Sequence, residues 1–183
     1  MSKFKFKITV IGDGFVGKTS LIRKFTQGSF QEEYIKTIGA QFSEYIEDRE
    51  CDRWELFFWD IAGQDEFHFL RPAFYKSSVA SIVVFSLEEN DFGRDSFKNV
   101  TDWYKEIKKF CGDIPIVLFG NKIDLVDESK LNDEKILKFI KKNAFIDYYR
   151  TSAKTGQNVE SAFRAIIEVL QNKYKENSSV QMP

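Results

Sequence analysis

The segment Gly12-Asp13-Gly14-Phe15-Val16-Gly17-Lys18-Thr19 sets glycines, a lysine and a hydroxyl in the spacing GxxxxGK[ST]. Glycines let the backbone turn its N–H groups inward, and successive inward N–H groups make a cradle for phosphate. An apolar run precedes the loop and helical spacing follows it, so the positive end of a helix dipole also points at the cradle. Lys18 is then expected to reach the β- and γ-phosphates of a nucleotide, and the Thr19 hydroxyl, beside Ser20, to ligate Mg²⁺. The plainer reading is a glycine turn between a strand and a helix, followed by an exposed lysine.

A second group of residues bears on the base. GNKIDL, Gly120 to Leu125, closes an apolar run, and in an open α/β sheet ligands collect beyond the carboxyl ends of the strands. A carboxylate at Asp124 can accept from the ring N–H and the exocyclic amino group of guanine together. Adenine offers no such pair and would leave the charge unpaired, so Asp124 is expected to select guanine. Asn121 can brace the base and neighbouring loops, and Lys122 can lie over the ring. Thr151-Ser152-Ala153-Lys154 ends another short apolar run, where the Ala153 N–H can meet the guanine carbonyl oxygen while Ser152 orders the loop. NKxD alone also suits a turn or a helix cap, and SAK alone is a weak signal.

Elements must hold these groups in place. Runs rich in Val, Ile and Phe predict strands over Phe6 to Ile11, Phe42 to Glu47, Glu55 to Ile61, Ser81 to Leu87, Ile114 to Gly120 and Tyr148 to Thr151. Helical spacing predicts helices over Lys18 to Thr26, Ser96 to Phe110, Asp133 to Lys142 and Val159 to Tyr174. The last carries one apolar stripe from Val159 through Phe163, Ile167 and Leu170 to Tyr174, behind Asn158 as a candidate N-cap. SIVVF and IPIVLF are apolar throughout, which implies parallel strands covered on both faces. DRECDRW is short and polar, so the strands it joins form an antiparallel pair at one edge.

Composition bounds the rest. With 183 residues, 43% hydrophobic and 30% charged, the chain has one substantial core and reads as a single domain. Lys plus Arg (27) nearly balance Asp plus Glu (28), so no broad basic field draws it to nucleic acid or an anionic membrane. Cys51 and Cys111 match neither a disulfide framework nor a zinc spacing, and Cys111 reads as a small packing group. MSKFKFKI lacks the apolar stretch of a signal peptide, and no run of about 18 apolar residues occurs, so a cytoplasmic location is expected. Lys3, Lys5 and Lys7 read as a solvated strand edge.

Taken in order, these motifs resemble the Ras superfamily of small GTPases from about Phe4 to Tyr174. The resemblance implies a small G domain of the P-loop NTPase class. Its α/β fold would have a six-stranded, mostly parallel sheet, one antiparallel edge strand and about five flanking helices. It implies a G domain over 1–175 and a flexible tail over 176–183. Nucleotide binding then falls to Gly12, Asp13, Gly14, Phe15, Val16, Gly17, Lys18, Thr19, Ser20, Asn121, Lys122, Asp124, Ser152, Ala153 and Lys154, with Phe30 edge-on to the guanine and Tyr34 beside it. YIKTIGAQF resembles switch I, where the Thr37 hydroxyl binds Mg²⁺ and its N–H meets the γ-phosphate. Asp60-Ile61-Ala62-Gly63-Gln64 resembles the DxxGQ of switch II: Asp60 holds Mg²⁺ through water, Gly63 donates to the γ-phosphate, and Gln64 orients the attacking water. Lys18, Thr37, Gly63 and Gln64 form the expected catalytic set, with GTP as substrate, GDP as product and Mg²⁺ as cofactor.

Within the superfamily TIGAQF, Trp59 before DIAGQ, and Phe74-Tyr75 look most like the Rab group. Phe42, Trp59 and Phe74 match the aromatic triad Rab proteins present to effectors, and equally suit an ordinary hydrophobic cluster. Ala40-Gln41, Ile61 and Asp65-Glu66 depart from the usual Val-Asp, Thr and Glu-Arg, and the last reverses a charge in switch II. Phe15 replaces the small residue usual beside Gly14. The resemblance implies an exchange factor, a GTPase-activating protein and effectors meeting residues 30–46 and 60–77, no nucleic-acid partner, and a monomer. His68 reads as exposed or partner-facing. SSVQMP carries no prenylation cysteine and Ser2 replaces the myristoylation glycine, so membrane contact is expected only through a partner or a longer tail. Two other functions fit parts of the pattern: a nucleotide-locked binding module, and a P-loop kinase, which DxxGQ and NKxD disfavour.

Overall fold

The computed structural model describes residues 2–31, 37–49, 52–63 and 65–179. The chain runs β1 (Ser2–Ile11), α1 (Lys18–Gln27), β2 (Ala40–Arg49), β3 (Asp52–Ile61), α2 (Arg71–Tyr75), β4 (Ala80–Ser86), α3 (Asp91–Cys111), β5 (Ile116–Asn121), α4 (Glu134–Lys142), β6 (Tyr148–Arg150) and α5 (Val159–Ser179). The six strands form one sheet in the order β2-β3-β1-β4-β5-β6. Only β2 and β3 are antiparallel, with Ala40 opposite Ile61 and Arg49 opposite Asp52. β1 lies parallel between β3 and β4, and from it the chain builds first toward one edge and then toward the other. Ligands gather where strand order reverses in this way, and the loop after β1 opens there.

Alternation across the pleat explains why β4 and β5 are apolar throughout. Ile82, Val84, Val117 and Phe119 face one core with Phe25, Phe58 and Phe163. Val83, Phe85, Ile116 and Leu118 face a second core with Val100, Trp103 and Ile107 of α3. Both faces are therefore covered, as the uninterrupted apolar runs require.

Several boundaries differ from the sequence-based expectation. β1 begins at Ser2, four residues early, because Ser2 to Lys5 pair with Asp52 to Glu55 of β3. Lys3 and Lys5 there do not simply face solvent: both pair with the buried Glu55 carboxylate, at 2.7 and 3.3 Å. Lys7 lies 3.9 Å over the Trp59 ring. α3 starts at Asp91 rather than Ser96 because Asn90 caps it, its side chain accepting from the Gly93 N–H at 2.9 Å. A Cβ at Gly93 would lie 1.9 Å from the Glu88 carbonyl oxygen, so glycine is what lets this first turn close.

Helix α2 has no periodic signal in the sequence. It is five residues long with Pro72 in its first turn, and the buried side chains of Arg71 and Tyr75 hold it to the core. The Cys111 thiol, half-buried as a small packing group would be, donates to the Tyr75 carbonyl at 3.3 Å. Asn158 does stand at the start of α5, its carbonyl accepting from the Ala162 N–H at 3.0 Å, but its side chain does not cap the helix. Asn158 takes φ 54° and turns its amide to the Arg150 carbonyl, 2.8 Å away. α5 keeps helical backbone to Ser179, into the stretch expected to be tail, since KENSS has neither glycine nor proline to stop it. Cys51 and residues 180–183 lie outside the described residues, among which no helix is long and apolar enough to cross a membrane.

Phe163 ties the first core together, stacking on Phe25 at 4.5 Å and meeting Phe58 and Phe119 edge-on at 5.2 and 5.3 Å. Phe163→Ala should lower unfolding free energy by about 3–5 kcal/mol in a denaturant titration. A loss below about 1 kcal/mol would mean that this cluster does not hold α5 to the sheet.

Candidate functional site: a phosphate loop and base pocket at the carboxyl edge of the sheet

The loops after β1, β3, β5 and β6 meet around one cavity of about 370 Å³. Of the expected residues, Gly14, Phe15, Gly17, Lys18, Thr19, Ser20, Phe30, Thr37, Gly63, Asn121, Lys122, Asp124, Ala153 and Lys154 line it. Arg23 and Gln31, which no motif marks, also line it, as do Ala62 inside DxxGQ and Leu125 at the end of GNKIDL. Gly12, Asp13, Val16 and Ser152 stand behind the wall. Val16 is fully buried in the first core and offers only its backbone. Phe30 serves both readings, lining the cavity while packing against that core. Tyr34 and Gln64 lie outside the described residues.

At the phosphate end, the Lys18 ammonium is enclosed and donates to the carbonyls of Gly12 at 2.9 Å and Asp13 at 2.7 Å. Burial pushes its pKa down to about 8 against the opposing pull of Asp60 and Asp13, with Arg71 adding to the depression. An enclosed lysine held only by carbonyl dipoles gains most from an anion. Gly63 lies directly on the loop: a Cβ there would come 2.2 Å from the Gly12 carbonyl oxygen and 2.5 Å from the Gly14 nitrogen. Only a bare backbone fits, so its N–H stays close to the cradle.

Beside Lys18 three oxygen-bearing side chains converge from three segments. The Thr19 and Thr37 hydroxyls are 3.1 Å apart, Thr19 donates to Asp60 Oδ2, and Thr37 donates to the same oxygen at 3.3 Å. Asp60 is 3% exposed, and its Oδ1 is buried without a hydrogen-bond partner. Burial raises its pKa, opposed by Lys18 and the two threonines. Hydroxyl and carboxylate oxygens with an orphaned anionic oxygen fit a hard cation, Mg²⁺ held directly or through water. Among the described residues no cluster of three His, Cys, Asp or Glu suits another metal.

At the base end, Asn121 is the joint. Its Nδ2 donates to the Val16 carbonyl at 2.8 Å, and its Oδ1 accepts from the Ala153 N–H at 3.2 Å and the Thr151 hydroxyl at 3.3 Å. The Ser152 hydroxyl donates to Asp124 Oδ1 at 2.6 Å while accepting from the Thr155 N–H at 3.0 Å, which sets the carboxylate's direction. Lys122 adopts φ 69°, and its ammonium is drawn to Glu88 at 2.6 Å, leaving its aliphatic stem along the cavity wall. Glu88 was invisible to motif reading, being an acid after β4 with no fixed spacing to NKxD.

The other missed contacts concern Asp13. Its carboxylate accepts from the Trp103 indole N–H and the Asn99 amide of α3, each at 2.7 Å. The sequence signal was a tryptophan and an asparagine four residues apart on one helix face, which by itself reads as packing. His68 is exposed, with its ring edge-on to Phe69.

A parallel sheet with a glycine loop, enclosed lysine and oxygen triad at its switch point defines a P-loop nucleotide-binding α/β protein. The Ras family model matches residues 7–172, and the chain belongs to the Ras family. That family comprises small GTPases that bind guanine nucleotide and switch between two states. The match spans every residue described above as lining the cavity.

Ser152→Ala removes the only side-chain donor shown to Asp124 among the described residues. It should weaken guanine-nucleotide affinity by about tenfold, the usual worth of a hydrogen bond to a charged group, measured by equilibrium titration with a fluorescent GDP. An unchanged affinity would show that Asp124 needs no such support.

Proposed function

We propose that this chain is a GTP/GDP switch that hydrolyses GTP slowly with Mg²⁺ and relies on exchange and activating proteins for speed. The observation that carries the reading is that two separate segments close on the phosphate loop through small groups. Thr37 reaches Thr19 and Asp60, and Gly63 lies on Gly12 to Gly14. A γ-phosphate with its Mg²⁺ would strengthen both contacts, and its loss would release both segments. In this reading Lys18 and the loop N–H groups hold the phosphates, and Thr19, Thr37 and Asp60 hold the cation. The cation supplies charge neutralisation at the phosphates when bound. Asp124 and the Ala153 N–H read guanine. Gln64 is assigned the attacking water by its place in DxxGQ.

The Rab-like reading rests on the triad. Phe42 stacks on Trp59 at 6.0 Å, and Trp59 meets Phe74 at 6.3 Å. Phe42 is 65% exposed, which suits an effector surface better than a closed core. We propose that effectors and regulators meet this face and the segments at 30–46 and 60–77. A cytoplasmic protein recruited through such partners, in trafficking or signalling, fits the same reading.

The test is single-turnover cleavage of bound GTP with Mg²⁺, after chromatography of the nucleotide that copurifies. Guanine nucleotide is expected, cleaved at about 10⁻⁴ to 10⁻³ per second without a partner, the range of the unassisted reaction. Gln64→Leu and Gly14→Val should each slow cleavage by about tenfold or more. Copurified adenine nucleotide would overturn the role of Asp124. Bound GTP that is never cleaved would instead favour a nucleotide-locked binding module.

A further inference from the structure

Asp13 has two attachments that pull in different directions. Its carbonyl oxygen takes the Lys18 ammonium at 2.7 Å, while its carboxylate is turned to α3 and satisfied by Trp103 and Asn99. The Trp103 ring is buried, so its N–H stays where the carboxylate needs it. The Arg71 guanidinium, at the start of α2, lies 4.2 Å from the centroid of the same ring and pairs with Glu106 at 3.4 Å. One indole thus touches the phosphate loop with its edge and the segment after DIAGQ with its face.

We propose that Trp103 is a positioning residue for the phosphate loop, holding the Asp13 carboxylate away from Lys18 and seating Arg71 beside the loop. The proposal rests on the guanine-nucleotide reading of the cavity. Its physical basis is charge competition. A carboxylate in the loop itself repels phosphate, and if freed it competes with phosphate for the enclosed Lys18 ammonium. Lys18 already feels the Asp13 charge at its present distance. Two N–H donors of 2.7 Å on a long helix turn that charge outward. Because Gly63 lies against the same peptides, a loop that shifts at Asp13 also shifts the surface on which switch II closes. Trp103 does not line the cavity and acts only through Asp13 and Arg71.

The experiment is the release rate of a fluorescent GDP from the full chain with Mg²⁺, in a double-mutant cycle. Trp103→Phe keeps a ring for Arg71 and loses only the donor, and should speed release about tenfold. Asn99→Ala removes the second donor from an exposed position and should speed release about threefold. In the Asp13→Ala background each should change release by less than about twofold, because there is no charge left to hold. A merely structural role for Trp103 would speed release equally in both backgrounds and so overturn the proposal, as would release within about twofold of wild type in either single variant. If Trp103→Phe does not fold, the Asn99→Ala pair decides by the same criterion. Wild-type protein that binds no GDP would sink the reading of the cavity itself, a result distinct from a flat cycle on a protein that binds it.

Discussion

The carboxamide of Asn121 is the joint on which the site depends. Two stretches distant in the chain, at Val16 and at Thr151 to Ala153, meet on one buried side chain that donates through nitrogen and accepts through oxygen. Aspartate could not donate here, and a hydroxyl could not span the three partners. Leaving such a group unpaired inside the protein costs about 1–3 kcal/mol per partner, so each contact enforces the others. Asn121 also explains Gly17. A Cβ at that position would fall 2.3 Å from the Asn121 nitrogen, so glycine is required there by the close approach of Asn121 as well as by the loop's own turn at φ 96°.

Around that joint the charges are arranged as a mismatched pair. Burial pushes the Lys18 pKa down and the Asp60 pKa up, although each opposes the other's shift. Both groups are short of charged partners, the lysine held by carbonyls and the aspartate left with one orphaned oxygen. An anion and a hard cation bound together would relieve both, whereas either alone would relieve one. This is the electrostatic reason the cavity suits a phosphate–Mg²⁺ complex on the proposed reading. The structure places an acid in the same loop, at Asp13, only with two donors turned to meet it.

Strand order explains how short motifs become one site. β1, β3, β5 and β6 run parallel to one another, so the loops leaving them open at one edge of the sheet. Thr37 joins them from the segment entering β2, the antiparallel strand. The two cores on either side keep the strands in register and hold α1, α3 and α5 against the sheet, so the polar groups at its edge keep their spacing.

Much of this was legible from sequence because it is set within a few residues. The glycine spacing at 12–17, the apolar runs of β4 and β5, the stripe of α5 and the placement of NKIDL after a strand each follow from backbone geometry and side-chain period. Those features determined the parallel α/β class and the glycine loop, and they marked Asn121, Lys122, Asp124 and Ala153, which line one cavity with it. Tertiary structure alone decided the rest. Pairing with Asp52 to Glu55 extended β1 over two lysines, Lys3 and Lys5, and burial of Tyr75 made a helix of a proline-bearing pentapeptide. Glu88 was turned to Lys122, and Trp103 to Asp13. These contacts join residues that sheet order, not local spacing, brings together, and their free energy comes from burying and pairing charges that a linear reading sees only as solvated.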